Sequence, residues 1–134
     1  MLGELLIEEY GDTIVRRVLP SEGFAPKIEI TFQASGKVLG VEYQNMGSYI
    51  TAVRPDGLLF GEGQGLAMTV DGEAVTWKGN GIGHFTTTGG ASYRGAIYYQ
   101  TASQKLARLN GVAGVFEYEV DENGKTSGKI WEWK

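Results

Sequence analysis

Apolar and polar residues alternate with a period of two along most of the chain, and helical periodicity is nearly absent. Lys27-Ile-Glu-Ile-Thr-Phe-Gln33 is the cleanest case. Turn residues interrupt the alternation at Gly11-Asp12, Ser35-Gly36, Pro55-Asp56-Gly57, Asp71-Gly72, Gly89-Gly90 and Asn123-Gly124. Strands at this spacing predict an all-β protein, a sandwich or a barrel. One short helix is predicted, with Ser103 as N-cap of Gln104 to Leu109 and Asn110-Gly111 as the stop. No linker or internal repeat divides the chain, so residues 1–134 read as one domain.

Turn length fixes register, and register fixes the face on which each side chain lies. A two-residue turn at Ser35-Gly36 pairs Phe32 with Leu39, Ile30 with Val41 and Ile28 with Tyr43, apolar against apolar. A two-residue turn at Asp71-Gly72 pairs Leu66 with Trp77, Gln64 with Gly79, Glu62 with Gly81 and Phe60 with Gly83. A three-residue loop at Pro55-Asp56-Gly57, with Gly57 left-handed, pairs Ala52 with Phe60, Ile50 with Glu62 and Ser48 with Gln64. These registers place Ile50, Phe60, Glu62, Gln64, Leu66, Met68 and Trp77 on an inner face. They also predict a bulge or corner near Gln44-Asn45, where the inward parity has to switch.

Gly61-Glu-Gly-Gln-Gly65 and Gly79-Asn-Gly-Ile-Gly83 each clear one strand face of side chains. A phosphate loop would need a strand-to-helix turn, which neither run has. Two readings remain: aromatic rings packed on bare backbone, or room for a ligand inside a barrel. The loop at Thr87 to Gly90 decides what joins these glycines. An even loop turns Arg94, Ala96, Tyr98 and Gln100 inward, with Arg94 diagonal to Glu62; an odd loop turns Tyr93, Ile97, Tyr99 and Thr101 inward. The even loop is preferred because it gives an enclosed Glu62 a partner. Glu62 is then the candidate catalytic acid or base, with Tyr98 orienting or donating. Gln64, Phe60, Trp77, Arg94, Tyr98 and Gln100 are the candidate ligand-binding residues. A polar network that only seals the core competes with both roles. His84, next to an inward Phe85, is expected on the surface.

A three-residue loop at Glu122-Asn123-Gly124 with a G1 bulge pairs Phe116 with Ile130, Val120 with Thr126 and Glu117 with Lys129. If Phe116 is inward, Trp131 and Trp133 stand outside and mark a self-association surface; a four-residue loop sends both indoles to the core.

Composition limits the chemistry. Among 134 residues there is no Cys and one His, which excludes disulfides, thiolate metal sites and a multi-histidine centre. No cofactor or metal is expected. With 12 Lys+Arg against 16 Asp+Glu the net charge is −4, and no basic tract offers itself to nucleic acid. The acidic residues in Met-Leu-Gly-Glu-Leu-Leu-Ile-Glu-Glu-Tyr do not fit a secretory signal, and no apolar run is long enough to span a membrane. A cytoplasmic location is the expectation.

Gly61-Glu-Gly-Gln-Gly65, Ser92-Tyr-Arg-Gly-Ala-Ile-Tyr-Tyr-Gln-Thr101 and the Phe116-Glu-Tyr-Glu hairpin resemble the small calycin-like, allene-oxide-cyclase-type barrels, including uncharacterised prokaryotic proteins with that barrel. The resemblance spans residues 25 to 134. It implies an eight-stranded antiparallel up-and-down barrel with an apolar cavity and frequent self-association. In the plant cyclases a buried carboxylate acts on a fatty-acid epoxide inside the barrel; only Glu62 is offered here as a matching acid, and the cyclase activity is not carried over. The leading expectation is a barrel that binds a small apolar or amphipathic molecule. Its alternatives are an isomerase or cyclase using the buried Glu, and a non-catalytic oligomeric structural protein.

Overall fold

The computed structural model describes residues 1–134. Strands β1 (Leu2–Val18), β2 (Lys27–Val38), β3 (Val41–Val53), β4 (Leu59–Thr69), β5 (Ala74–Phe85), β6 (Ala91–Gln100), β7 (Gly114–Val120) and β8 (Lys125–Trp133) follow one another in the chain. Each pairs antiparallel with its sequence neighbour, and β8 closes back on β1. The result is a closed eight-stranded up-and-down barrel, which leaves no unpaired sheet edge.

Turn chemistry sets which residues point into the barrel. The loops ending at Gly57, Gly72, Gly89 and Gly124 all carry three residues, and those glycines have φ of 84°, 88°, 95° and 80°. Glycine takes this left-handed position without the Cβ clash other residues meet. The loops at Gly57 and Gly124 match the expectation, and so do the pairs Ile50 with Glu62 and Phe116 with Ile130. The expected two-residue turn at Asp71-Gly72 is overturned. Val70 joins that loop, with the Thr69 N–H donating to the Glu73 carbonyl at 2.8 Å and the Gly72 N–H to the Thr69 carbonyl at 3.0 Å. The preferred even loop before β6 fails in the same way, because the Thr86 N–H donates to the Gly90 carbonyl at 2.9 Å and encloses three residues. Each error is a slip of one residue, which exchanges the two faces of a strand. Gly65 therefore faces Trp77, and Gly83 faces Tyr93 rather than Arg94.

The first hairpins differ too. Gly11-Asp12 and Ser35-Gly36 lie within strands, and β2 turns into β3 at Leu39-Gly40, with φ of 49° and 82°. Two left-handed residues in succession make the turn that suits the twist of a tight hairpin. Pairing of β2 with β3 runs without interruption from Val38–Val41 to Lys27–Ala52, so there is no switch at Gln44-Asn45. The odd residues of β3 face inward throughout. Register shifts fall instead in β1, one of them between Thr13 and Val15.

One end of the barrel is closed. The segment between β6 and β7 crosses it, with a 3-10 helix at Ala107–Gly111 in place of the expected α-helix. Its N-cap is Leu106, without a side-chain cap, rather than the expected Ser103, whose Oγ accepts from the Leu106 N–H at 3.2 Å in the turn before the helix. Leu106, Leu109 and Val112 are buried against Leu6 and Val38, with Leu39 packed alongside. Burying such aliphatic side chains is worth about 1.5–3 kcal/mol each. Lys105 to Asp71 at 2.7 Å, and Arg108 to Glu4 and Glu132 at 3.2 and 2.9 Å, tie the segment to three neighbours. The opposite end, ringed by the loops at residues 19–26, 54–58, 86–90 and 121–124, has no such cover.

Candidate functional site

The two glycine runs share the inner wall, with Gly61 opposite Gly81 and Gly63 opposite Gly79. What occupies the space they leave is mostly aromatic. A Cβ on Gly65 would lie 2.3 Å from the Trp77 indole, and one on Gly47 would lie 2.5 Å from it and 2.7 Å from the Phe32 ring. Gly83 makes the same allowance for Tyr93. Nearer the open end, Phe32, Tyr49, Tyr93 and Tyr118 form one cluster drawn from four strands, with ring centroids 5.5–6.2 Å apart. Tilted and edge-on contacts of this kind each add about 0.5–1.5 kcal/mol beyond area burial. The Thr51 and Tyr93 hydroxyls meet at 3.0 Å at its rim.

Between this cluster and the closed end lies a chamber of about 100 Å³, lined by Ile7, Phe32, Val38, Tyr43, Trp77, Ile97, Tyr99, Phe116 and Ile130 among others. That is space for a few waters or one small ring. Its buried carboxyl is Glu9, 6% exposed, while Glu62, Glu117 and Lys129 border it from exposed positions. Glu9 pairs with Gly36 on one side and Gly128 on the other; a Cβ on Gly36 would strike the Glu8 and Glu9 backbone, and one on Gly128 would touch the Glu9 side chain at 3.4 Å. Oε1 accepts the Tyr43 hydroxyl and the Asn45 amide, the latter at 3.2 Å; Oε2 has only a 3.4 Å contact with the same amide. The Asn45 Oδ1 in turn accepts the Trp77 Nε1–H at 2.8 Å. Burial pushes the Glu9 pKa up, against the smaller downward pull of the Tyr43 and Asn45 hydrogen bonds. Burial thus disfavours the charged carboxylate, and Oε2, with one long hydrogen bond from Asn45, is the less engaged oxygen. The Tyr99 hydroxyl, raised by burial and by Glu9, is buried without a hydrogen-bond partner.

The sequence-derived candidates divide. Trp77 faces the chamber, whereas Phe60, Glu62, Gln64, Arg94, Tyr98 and Gln100 are exposed on the outer wall, Glu62 also bordering the chamber. The one-residue slips at Gly72 and Gly89 account for the inversion. Outside, Glu62, Gln64 and Tyr98 share a shallow depression with Lys78. Arg94 pairs with Glu119 at 3.0 Å and Glu117 at 3.8 Å, not with Glu62. Phe85 is also exposed, as is His84. Trp131 and Trp133 are outside, beside Leu5 and Leu2, while Phe116 lines the chamber. Because its carboxylate meets water, Glu62→Gln is expected to change unfolding free energy by no more than about 0.5 kcal/mol, measured by urea denaturation. A loss of 2 kcal/mol would mean that Glu62 is enclosed.

Glu9 itself escapes the sequence reading. Its signal is present in Ile7, Glu9, Gly11 and Thr13, four alternate positions of one strand, but a carboxylate in that series reads as a solvent-facing residue.

No protein-family model matches the chain, and no curated protein matches it in sequence. Solved structures do match in fold. A conserved protein of unknown function from Rhodopseudomonas palustris is 14% identical, with a TM-score of 0.82 over 98% of this chain and 97% of that one. A beta-barrel-like protein from Acinetobacter baumannii is 16% identical, with a TM-score of 0.83 over 100% and 96%. An enzyme from Penicillium herquei is 15% identical, with a TM-score of 0.73 over 96% and 92%. These likenesses are of fold: the chain shares its barrel with bacterial proteins of unknown function and with a fungal enzyme.

Proposed function

We propose that the barrel is a binding chamber for a small, largely apolar molecule carrying one hydrogen-bond-accepting group. The observation that carries this reading is the buried Glu9 carboxyl at the wall of a largely apolar cavity, its pKa raised by burial, with Oε1 held by Tyr43 and Asn45 and Oε2 by one long hydrogen bond. Aromatic and aliphatic walls supply the affinity, and one polar group fixes orientation. In a barrel of the allene-oxide-cyclase type the corresponding ligand would lie in the same lumen, with Glu9 rather than Glu62 as the acid.

The test uses Trp77 as its reporter. In a Trp131→Phe, Trp133→Phe background it is the remaining indole. Native mass spectrometry after incubation with a mixture of small lipophilic ketones and alcohols is expected to show a 1:1 complex. The bound compound is expected to shift Trp77 emission, and Glu9→Leu to weaken it about 3- to 10-fold, the worth of one hydrogen bond. Absence of any bound species, with Trp77 emission unmoved, would overturn the reading.

A second reading, general acid–base catalysis of an isomerisation or cyclisation, is favoured by the same raised pKa. It also draws on the fungal neighbour being an enzyme. Here Oε2–H would protonate an oxygen of the bound molecule and the resulting carboxylate would take a proton back. The distinguishing result is a bound compound recovered with unchanged mass but altered chromatographic retention from wild type, and unaltered from Glu9→Gln.

A further inference from the structure

The polar side chains around Glu9 are bound to one another, with one exception. The Asn45 Oδ1 accepts the Trp77 Nε1–H, the Asn45 amide donates to Glu9, and the Tyr43 hydroxyl donates to Glu9 Oε1. Hydroxyls nearer the open end also have neighbours: Tyr93 meets Thr51 at 3.0 Å, and Tyr118 lies against Tyr49 and Thr126. Tyr99 has none. It is 8% exposed and lines the chamber, and its hydroxyl is buried with no hydrogen-bond partner. A buried hydroxyl left this way is destabilising and uncommon.

The position of Tyr99 is fixed from behind. It pairs with Trp77 across the sheet and belongs to the core cluster with Leu106 and Leu109 of the segment that closes the barrel. Just beyond it, the Thr101 N–H donates to the Asn110 Oδ1 at 2.8 Å and the Asn110 amide to the Thr101 carbonyl at 3.0 Å, so that segment also holds the end of β6. With its backbone pinned and its ring packed, the side chain is not free to seek a partner elsewhere. Glu9, Tyr43 and Tyr99 come from β1, β3 and β6, separate parts of the wall. Burial raises the pKa of both tyrosine hydroxyls, and the charge of Glu9 raises both further, so both stay protonated within the field of one carboxyl. Tyr43 already donates to Glu9; the Tyr99 proton is uncommitted. Burial disfavours the charged form of Glu9, and a neutral carboxyl donates through its own O–H. Two donors in one apolar chamber are complementary to an oxygen with two lone pairs and no proton of its own, which is a carbonyl oxygen. An alcohol brings a proton as well, and Oε1 already takes two donors. The rings of Phe32, Trp77 and Phe116 around a volume of about 100 Å³ suit one aromatic ring.

Resting on the chamber reading above, we propose that the bound molecule is an aryl carbonyl compound, its ring among the aromatic walls and its carbonyl oxygen accepting from the Tyr99 hydroxyl beside Glu9. Tyr99→Phe removes an unpartnered hydroxyl and keeps the ring, so it is expected to melt at or above the wild-type temperature. A clear drop would mean that the hydroxyl has a partner within the protein, and would overturn the inference. The probes are acetophenone and α-methylstyrene, which differ in C=O against C=CH2. In the protein whose remaining indole is Trp77, acetophenone is expected to quench emission, and α-methylstyrene to displace it with an affinity at least about 10-fold weaker. In Tyr99→Phe the ketone is expected to bind about 3- to 10-fold more weakly, and the alkene as before. The carbonyl stretch of bound acetophenone, read by infrared spectroscopy, is expected below its value in hexane, and to move back toward it in Tyr99→Phe. Equal affinity for ketone and alkene, or a preference and a stretch untouched by Tyr99→Phe, would overturn the carbonyl contact and leave the chamber standing. If neither probe binds although the lipophilic mixture yields a complex, the carbonyl inference falls alone; if the mixture yields none either, both readings fall together.

Discussion

Gly65→Ala is expected to destabilise the barrel by about 3 kcal/mol or more, and Gly61→Ala to leave it intact. Both glycines lie on the inner face of β4, four residues apart, and neither has a positive φ. What separates them is what each faces. At Gly65 a methyl group would sit 2.3–2.4 Å from three indole atoms of Trp77. The indole cannot simply swing aside, because its Nε1–H is held by Asn45, which also donates to Glu9. Overpacking of a core alone costs about 1–3 kcal/mol, and breaking a buried hydrogen-bond chain adds to it. At Gly61 the methyl group would meet Tyr93 at 3.4 Å and Tyr49 at 3.8 Å, ordinary contacts. There the gain from replacing a strand glycine, about 0.5–1 kcal/mol, is expected to appear. Its methyl would still project into the chamber and lower ligand affinity. Urea denaturation of the two variants measures the contrast; equal stabilities would mean that Trp77 is not packed on Gly65.

The second large effect is a pH dependence. Glu9 has a raised pKa in the folded protein, so between the ordinary value of 4.5 and that raised value the folded state holds a proton the unfolded chain has lost. Its stabilising contribution is complete below pH 4.5 and is lost as pH rises through the folded pKa. Within that window the slope approaches about 1.4 kcal/mol per pH unit, the value for one proton. Glu9→Gln removes the titration while keeping a carbonyl oxygen for the Tyr43 hydroxyl. The variant is therefore expected to be more stable than wild type near neutral pH, with the gap widening upward from pH 4.5. Urea denaturation from pH 4 to 9 reads this directly, and parallel pH profiles for the two proteins would refute a buried neutral carboxyl.

Strand content, the barrel class and the β3–β4 and β7–β8 registers are legible in the sequence because Pro55-Asp56-Gly57 and Glu122-Asn123-Gly124 specify loop length as well as a turn. Asp71-Gly72 and Gly89-Gly90 specify only a turn. Both hairpins take the three-residue loop, and the missing residue, Val70 in one case, looks like strand. The rule that apolar residues point inward then compounded the slip. Phe60, Leu66, Met68 and Ile82 are 37–50% exposed on the outer wall, while the wall opposite the lumen rings is glycine. The Trp77 indole leaves Gly47 and Gly65 no room for side chains, and the Tyr93 ring leaves Gly83 none, so on β4 the inner face is bare and the larger apolar residues stand outside. The acid is illegible for a different reason. Glu9 depends on pairing β1 with both β2 and β8, a contact of the chain's two ends that no local pattern reports.

The strap over one end of the barrel makes the chamber a cul-de-sac. A molecule cannot pass through it; arrival and departure share one doorway, hung with the rings of Tyr49, Tyr93 and Tyr118. On the binding reading, loosening that doorway would speed capture and escape alike, so the rings at the rim would set residence time and the polar groups within would set affinity.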